Sequence, residues 1–123
     1  MPKKRTGNRS AVTYDIVRAL ARELPDVEES TSYGTPALKV GGKLFVRLKE
    51  DAETIVLRTD AYERAHLIGS DPRTFFITEH YREYPWVLVR LSEVKRAQIA
   101  ELLEGAWRRV APKRLIAIRE TGR

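Results

Sequence analysis

A chain of 123 residues, 42% hydrophobic and 33% charged, is long enough for one modest core and too apolar for a disordered segment. The absence of cysteine excludes disulfides, thiol catalysis and zinc–thiolate sites. No apolar run approaches the roughly 20 residues needed to span a bilayer. The opening "MPKKRTGNR" is basic and leads into no apolar segment, so it reads as a flexible, solvated tail over residues 1–9 rather than a secretory signal. A single domain over residues 10–123 is expected to follow, in a cytoplasmic protein. Its first helix should run from about Ser10 to Leu24, because Val12, Ile16, Ala19, Leu20 and Leu24 recur at helical spacing. Thr13 or Ser10 can cap its start, and Pro25 cannot continue its hydrogen-bond ladder.

A strand-rich block comes next. "VEESTSY" alternates weakly before Gly34 and Pro36 and reads as a short or edge strand. "PALKV" and "KLFVRL" flank Gly41-Gly42, a pair suited to the positive φ angles of a tight hairpin. Strict alternation in the second arm sends Leu44, Val46 and Leu48 one way and Lys43, Phe45 and Arg47 the other. "TIVLRT" follows the polar turn "KEDAE" as a further strand. Asp60 and Glu63 have the spacing of a capping box at the head of a short helix, with Ala61, Ala65 and Ile68 inward and Gly69 as its end. "TFFIT" and "PWVLVRL" read as two more strands, the second largely buried, with Trp86 packing in the core against the long helix. That helix spans roughly Ser92 to Val110 and sets Ile99, Leu102, Leu103, Ala106 and Val110 on one face. Pro112 ends it, and "KRLIAI" adds a short terminal helix. Hairpins without long parallel crossovers predict an α+β fold with an antiparallel sheet packed by helices.

The formal net charge of +6 invites a nucleic-acid partner, yet it is unevenly spread. Lys3, Lys4, Arg5 and Arg9 give residues 1–9 a charge of +4, residues 105–123 carry +5, and residues 10–104 are left with −3. The two histidines, His66 and His80, are fourteen residues apart and match no metal-binding spacing. "VGGK" lacks the leading glycine and the trailing Ser or Thr of a phosphate loop. No nucleophile has an adjacent base, so neither catalysis, a metal nor a cofactor is expected. Tyr81, Tyr84 and Trp86 beside Arg82 and Arg90 raise the prospect of base stacking. Glu79, His80 and Tyr81 form the one stretch where a pocket could collect polar groups. Lys39, Lys43 and Arg47 on the hairpin, with Arg108, Arg109, Lys113 and Arg114 around the end of the long helix, are the candidate phosphate contacts.

"VEESTSYGTPALKVGGKLFVRLKED", "FFITEHYREYPWVLVRL" and "AWRRVAPKRL" together resemble the MmcQ/YjbR-like family of small bacterial proteins, from about Val12 to Leu115. The resemblance lies in the Gly34-x-Pro36 step, the Gly41-Gly42-Lys43 turn, His80-Tyr81, Pro85-Trp86 and the run from Trp107 to Leu115. It implies a two-layer, secretion-chaperone-like fold in the order α-β(3)-α-β(2)-α, whereas the residues themselves suggest a fourth strand in the first block. It also implies a double-wing arrangement of hairpins that binds DNA, with no agreed catalytic residues or cofactor. The expectation is therefore a non-enzymatic, monomeric DNA-binding protein with no membrane association, making largely sequence-independent contacts from the hairpin wing and the basic C-terminal region. The alternative is a non-catalytic module for a protein partner. Because the wing lies within the −3 segment, the basic ends are the better contact candidates.

Overall fold

The computed structural model describes residues 11–122. In chain order it holds α1 (Tyr14–Ala21), β1 (Val27–Ser32), β2 (Thr35–Val40), β3 (Lys43–Leu48), β4 (Thr54–Arg58), α2 (Ala61–Ser70), β5 (Phe75–Phe76), a 3-10 turn (Glu79–Tyr81), β6 (Trp86–Arg90), α3 (Arg96–Val110) and α4 (Lys113–Thr121). The class is the expected α+β. The first strand block contains four strands, as the residues suggested, rather than the three implied by the resemblance. Residues 1–9 and Ser10 lie outside the described residues.

The helices keep their expected order with shifted bounds. Thr13 caps α1, its hydroxyl accepting from the Ile16 N–H at 3.3 Å. Val12 precedes the helix and donates to the Leu91 carbonyl at 3.3 Å, while Ala19 is exposed and Val17 and Ala21 are buried. In α2 the Asp60 carboxylate accepts from the Glu63 N–H at 2.7 Å. The Glu63 side chain turns instead to the Thr59 hydroxyl, so only half of the capping box forms. Ala61 and Ala65 face solvent, Leu67 is the buried residue, and the helix runs past Gly69 to Ser70.

All six strands join one antiparallel sheet in the order β1-β2-β3-β4-β6-β5. Two hairpins are tight two-residue turns. Ser32 pairs with Thr35 across Tyr33-Gly34 (φ 54° and 80°), and Val40 pairs with Lys43 across Gly41-Gly42 (φ 58° and 77°). At one point the β2–β3 register shifts: Leu38 pairs with Val46 but Lys39 pairs with Leu44, leaving Phe45 as an extra residue. The expected alternation fails there. Phe45 joins Val46 in the main core, while Leu44 moves to the opposite face, with Arg47.

The two faces of the sheet differ sharply. One carries the row Leu38, Val46, Leu57, Val87 and the row Ile55, Val89, Phe75, all in a single core with Val17, Ile99, Leu103, Ala106, Trp107 and Leu115 of the helices. Trp107, fully buried, also donates its indole N–H to the Pro25 carbonyl at 3.0 Å, as a buried indole requires. The opposite face carries Ala37, Arg47, Val56, Leu88 and Phe76 in register. There the covering is a small cluster in which Tyr81 seals Val56 and Leu88, with Phe76 and Trp86 at its edge. Trp86 is thus half-buried on this second face and does not pack against the long helix, because its pairing with Arg58 sets it out of step with Val87 and Val89.

Candidate functional site

On the second face a cavity of about 310 Å³ opens between β3, β4, β6 and the 3-10 turn. Buried Val56 and Arg47, with Leu44, make its floor, and Tyr81 and Trp86 make its walls. Tyr33, Tyr84 and His80 stand exposed around the mouth, Tyr33 at 79% and Tyr84 at 57% of full exposure. Its size is at the lower bound of small-molecule pockets, which run from about 300 Å³.

Arg47 is 5% exposed, which is unusual for a guanidinium. Its Nη1 donates to Thr35 Oγ1 at 3.1 Å and to the Leu48 carbonyl at 3.3 Å, and its Nη2 donates to Tyr81 Oη at 2.9 Å. The nearest carboxylate, Glu50, is 3.8 Å away and largely solvated, so it neutralises little of the charge. Removing an ion from water costs several kcal/mol in effective terms, and neutral acceptors offset that only in part. Tyr33 supplies another part, its ring centroid 5.1 Å from the guanidinium carbon. Holding a non-glycine residue at φ 54° costs of order 1–2 kcal/mol, comparable with the roughly 0.5–2 kcal/mol of such a cation–π contact. The strained turn is therefore a near-neutral way of placing an exposed aromatic ring over a buried cation.

The connection between β5 and β6 brings in the remaining side chains. Tyr81 is buried with its ring edge-on to His80, 4.7 Å between centroids at 87°. Arg64, reaching across from α2, donates to four carbonyls of this connection: Tyr81 at 3.1 Å, Tyr84 at 2.7 Å and Trp86 at 3.2 Å from Nη1, and Arg82 at 3.0 Å from Nη2. One guanidinium thus fixes the segment that carries three of the cavity's aromatic residues. Arg58, in register with Trp86, has its Nε sealed from solvent with no partner among the described residues. Among the described residues no group of three or more His, Asp or Glu side chains could hold a metal ion.

Of the three residues expected to form a pocket, His80 and Tyr81 line it. Glu79 does not, since its carboxylate is held by Arg82 at 2.9 and 3.1 Å on the outer surface. The expected phosphate contacts separate into three groups. Arg47 is buried beneath Tyr33, and Lys39 lies on the same face, in register with Leu44 and outside the cavity lining. Arg108 is engaged by Glu104 at 3.0 Å and Glu120 at 2.8 Å, and Arg109 by Asp60 at 2.7 Å and Glu63 at 3.4 Å. Lys43, Lys113 and Arg114 are exposed without ion pairs among the described residues. Gly41 of the hairpin tip lies against Pro112, which joins the tip to the start of α4. The sequence-level reading missed Tyr33, Leu44 and Arg47 as cavity residues, since they precede His80 by more than thirty positions. The signal that could have found Tyr33 was its place before Gly34 in a two-residue turn.

A model of the YjbR family matches residues 22–109, which includes every residue of this cavity. The chain belongs to the YjbR family. Proteins of Mycobacterium bovis and of two Mycobacterium tuberculosis strains, each named as an uncharacterized protein, are 44% identical to this YjbR chain over 50 residues. Those residues are 41% of this chain and 39% of the length of each relative, so the match spans well under half of the curated relatives. The crystal structure of a Deinococcus radiodurans protein with the domain DUF419 superposes with a TM-score of 0.69 at 24% identity, covering 80% of this chain and 78% of that one. That likeness establishes a shared fold for the YjbR chain.

Proposed function

We propose that this YjbR-family protein binds single-stranded nucleic acid on the open face of its sheet, with an unpaired base in the cavity and Lys39 beside it facing the phosphates. The supporting observation is the set of accessible rings, Tyr33, Tyr84 and Trp86, grouped around a guanidinium on the sheet face opposite the main core. Single strands are held by such a combination: aromatic platforms for bases, each worth roughly 1–3 kcal/mol, and cations that follow the backbone. Binding of duplex DNA from a wing has less support. Its cations divide between the two faces of the hairpin, and Arg108 and Arg109 are already neutralised by carboxylates.

The test is an anisotropy titration of a labelled single strand and its duplex at two salt concentrations. The single strand should bind more tightly, with a log–log salt slope of about −0.7 per phosphate contacted, and Trp86→Ala should weaken it by about tenfold. Equal or tighter duplex binding, or no binding of either at low salt, refutes the reading.

A further inference from the structure

The donor inventory of the cavity floor points to the kind of base it accepts, an inference that rests on the single-strand reading above. A guanidinium carries five N–H groups. Both N–H groups of Arg47 Nη1 are taken by Thr35 and Leu48, and one of Nη2 is taken by Tyr81. On the edge of the group shared by Nε and Nη2, the Nε–H has no partner among the described residues, and Nη2 keeps one hydrogen beyond the one that Tyr81 takes. Among those residues the sealed, unpartnered side-chain atoms are Tyr14 Oη and Arg58 Nε, so Arg47 Nε is not closed off, and Arg47 lines the cavity. Tyr81 Oη accepts from Arg47, which leaves its own proton free to donate. The polar floor therefore offers donors to a ligand, and its fork is spaced for two adjacent acceptors.

We propose that the cavity takes a 6-oxopurine, guanine or hypoxanthine, with O6 and N7 on the free edge of Arg47 and the ring plane against Trp86 and the mouth tyrosines. Among the bases, guanine presents two adjacent acceptors on that edge, which is why arginine pairs with it in bidentate fashion. Adenine places an amino donor where O6 would be, opposing a donor with a donor. A bare phosphate would satisfy the guanidinium but gain nothing from the apolar lining of Leu44, Val56 and Trp86. The donors and the apolar and aromatic lining thus fit one planar acceptor-bearing ring.

The experiment uses the full chain and oligothymidylates that carry one central guanine, hypoxanthine, 7-deazaguanine or adenine, followed by anisotropy. Guanine and hypoxanthine should bind alike, and 7-deazaguanine and adenine about tenfold more weakly. Arg47→Lys, which keeps the charge and loses the fork, should remove the preference. The analogue comparison on the unaltered chain carries the test whether or not that variant folds. If the strands bind regardless of the central base, the base assignment fails and the single-strand reading survives. If no strand binds, yet guanosine monophosphate quenches Trp86 saturably and adenosine monophosphate does not, the assignment stands for a free nucleotide and the strand reading fails. Equal competition by inorganic phosphate at matched ionic strength overturns the assignment in either case.

Discussion

The same strands present two unlike surfaces. Toward the helices, the central rows Leu38, Val46, Leu57, Val87 and Ile55, Val89, Phe75 are apolar and lie in one core with residues of α1, α3 and α4, and an indole finds its one partner in the Pro25 carbonyl. Away from them, the sheet buries an arginine instead, covers it with a strained tyrosine and a short turn, and leaves a cavity beside it. Period-two geometry lets one strand serve both ends, stability on one side and recognition on the other. It follows that substitutions on the two faces should separate folding from binding.

The largest contrast comes from Trp107→Ala. It opens a void in the main core and leaves the Pro25 carbonyl unpaired, so a loss of about 3–5 kcal/mol in urea unfolding is expected. Trp86→Ala on the other face should cost much less stability while weakening single-strand binding. If both variants lose stability equally, the division between faces does not hold. Arg64→Met is next: four carbonyls lose a charge-assisted donor, and about 1.5–3 kcal/mol of stability should go with it. Binding should fall as well, because Tyr81, Tyr84 and Trp86 are released together, and faster amide exchange at residues 81–86 would report that release.

A smaller, pH-dependent effect is confined to the helix layer. Hydrogen bonds from Arg119, and then from Arg108, hold the Glu104 carboxyl below its ordinary value of 4.5, outweighing its partial burial. A carboxyl with a depressed folded value contributes stability above its ordinary value and loses it as pH falls through the lower one. Acidification below about pH 4.5 should therefore weaken the docking of α4. Glu104→Gln should cost about 1 kcal/mol at neutral pH and flatten the acid limb of a thermal-unfolding series. At neutral pH the cavity should bind as before in this variant; a binding change as large as that of Trp86→Ala would show that the two layers are coupled.

Much of the scaffold was legible in the chain. Thr13, Asp60, Gly41-Gly42 and Pro112 punctuate the structure where local chemistry says they should, because caps and turns are decided within a few residues. The apolar runs of β4, β6 and α3 gave the core for the same reason. The cavity was harder to read. His80 and Tyr81 drew attention as a polar stretch, but their partner Arg47 sits 34 residues earlier, and only the register of four strands brings them together. Trp86 looked like core because its neighbours are core; a tryptophan at the first position of a buried strand does not reveal which face it takes. The cations illustrate the same limit, since net charge cannot distinguish Arg109, bound to Asp60, from Lys113, which is free among the described residues.

Phe45 has a consequence of parity. A two-residue turn at Gly41-Gly42 obliges Val40 and Lys43 to face the same way, and from there odd-numbered positions of β3 would all look toward the helices, Arg47 included. The single surplus residue switches odd for even midway along the strand. The hairpin can then stay minimal while Arg47 emerges on the side of Tyr81. Removing Phe45 would leave Lys39–Leu44 and Leu38–Val46 as successive pairs of a regular ladder, so Arg47 would keep its face while the core lost a phenylalanine. The side on which the arginine emerges is thus set by the one point where its strand breaks step with β2.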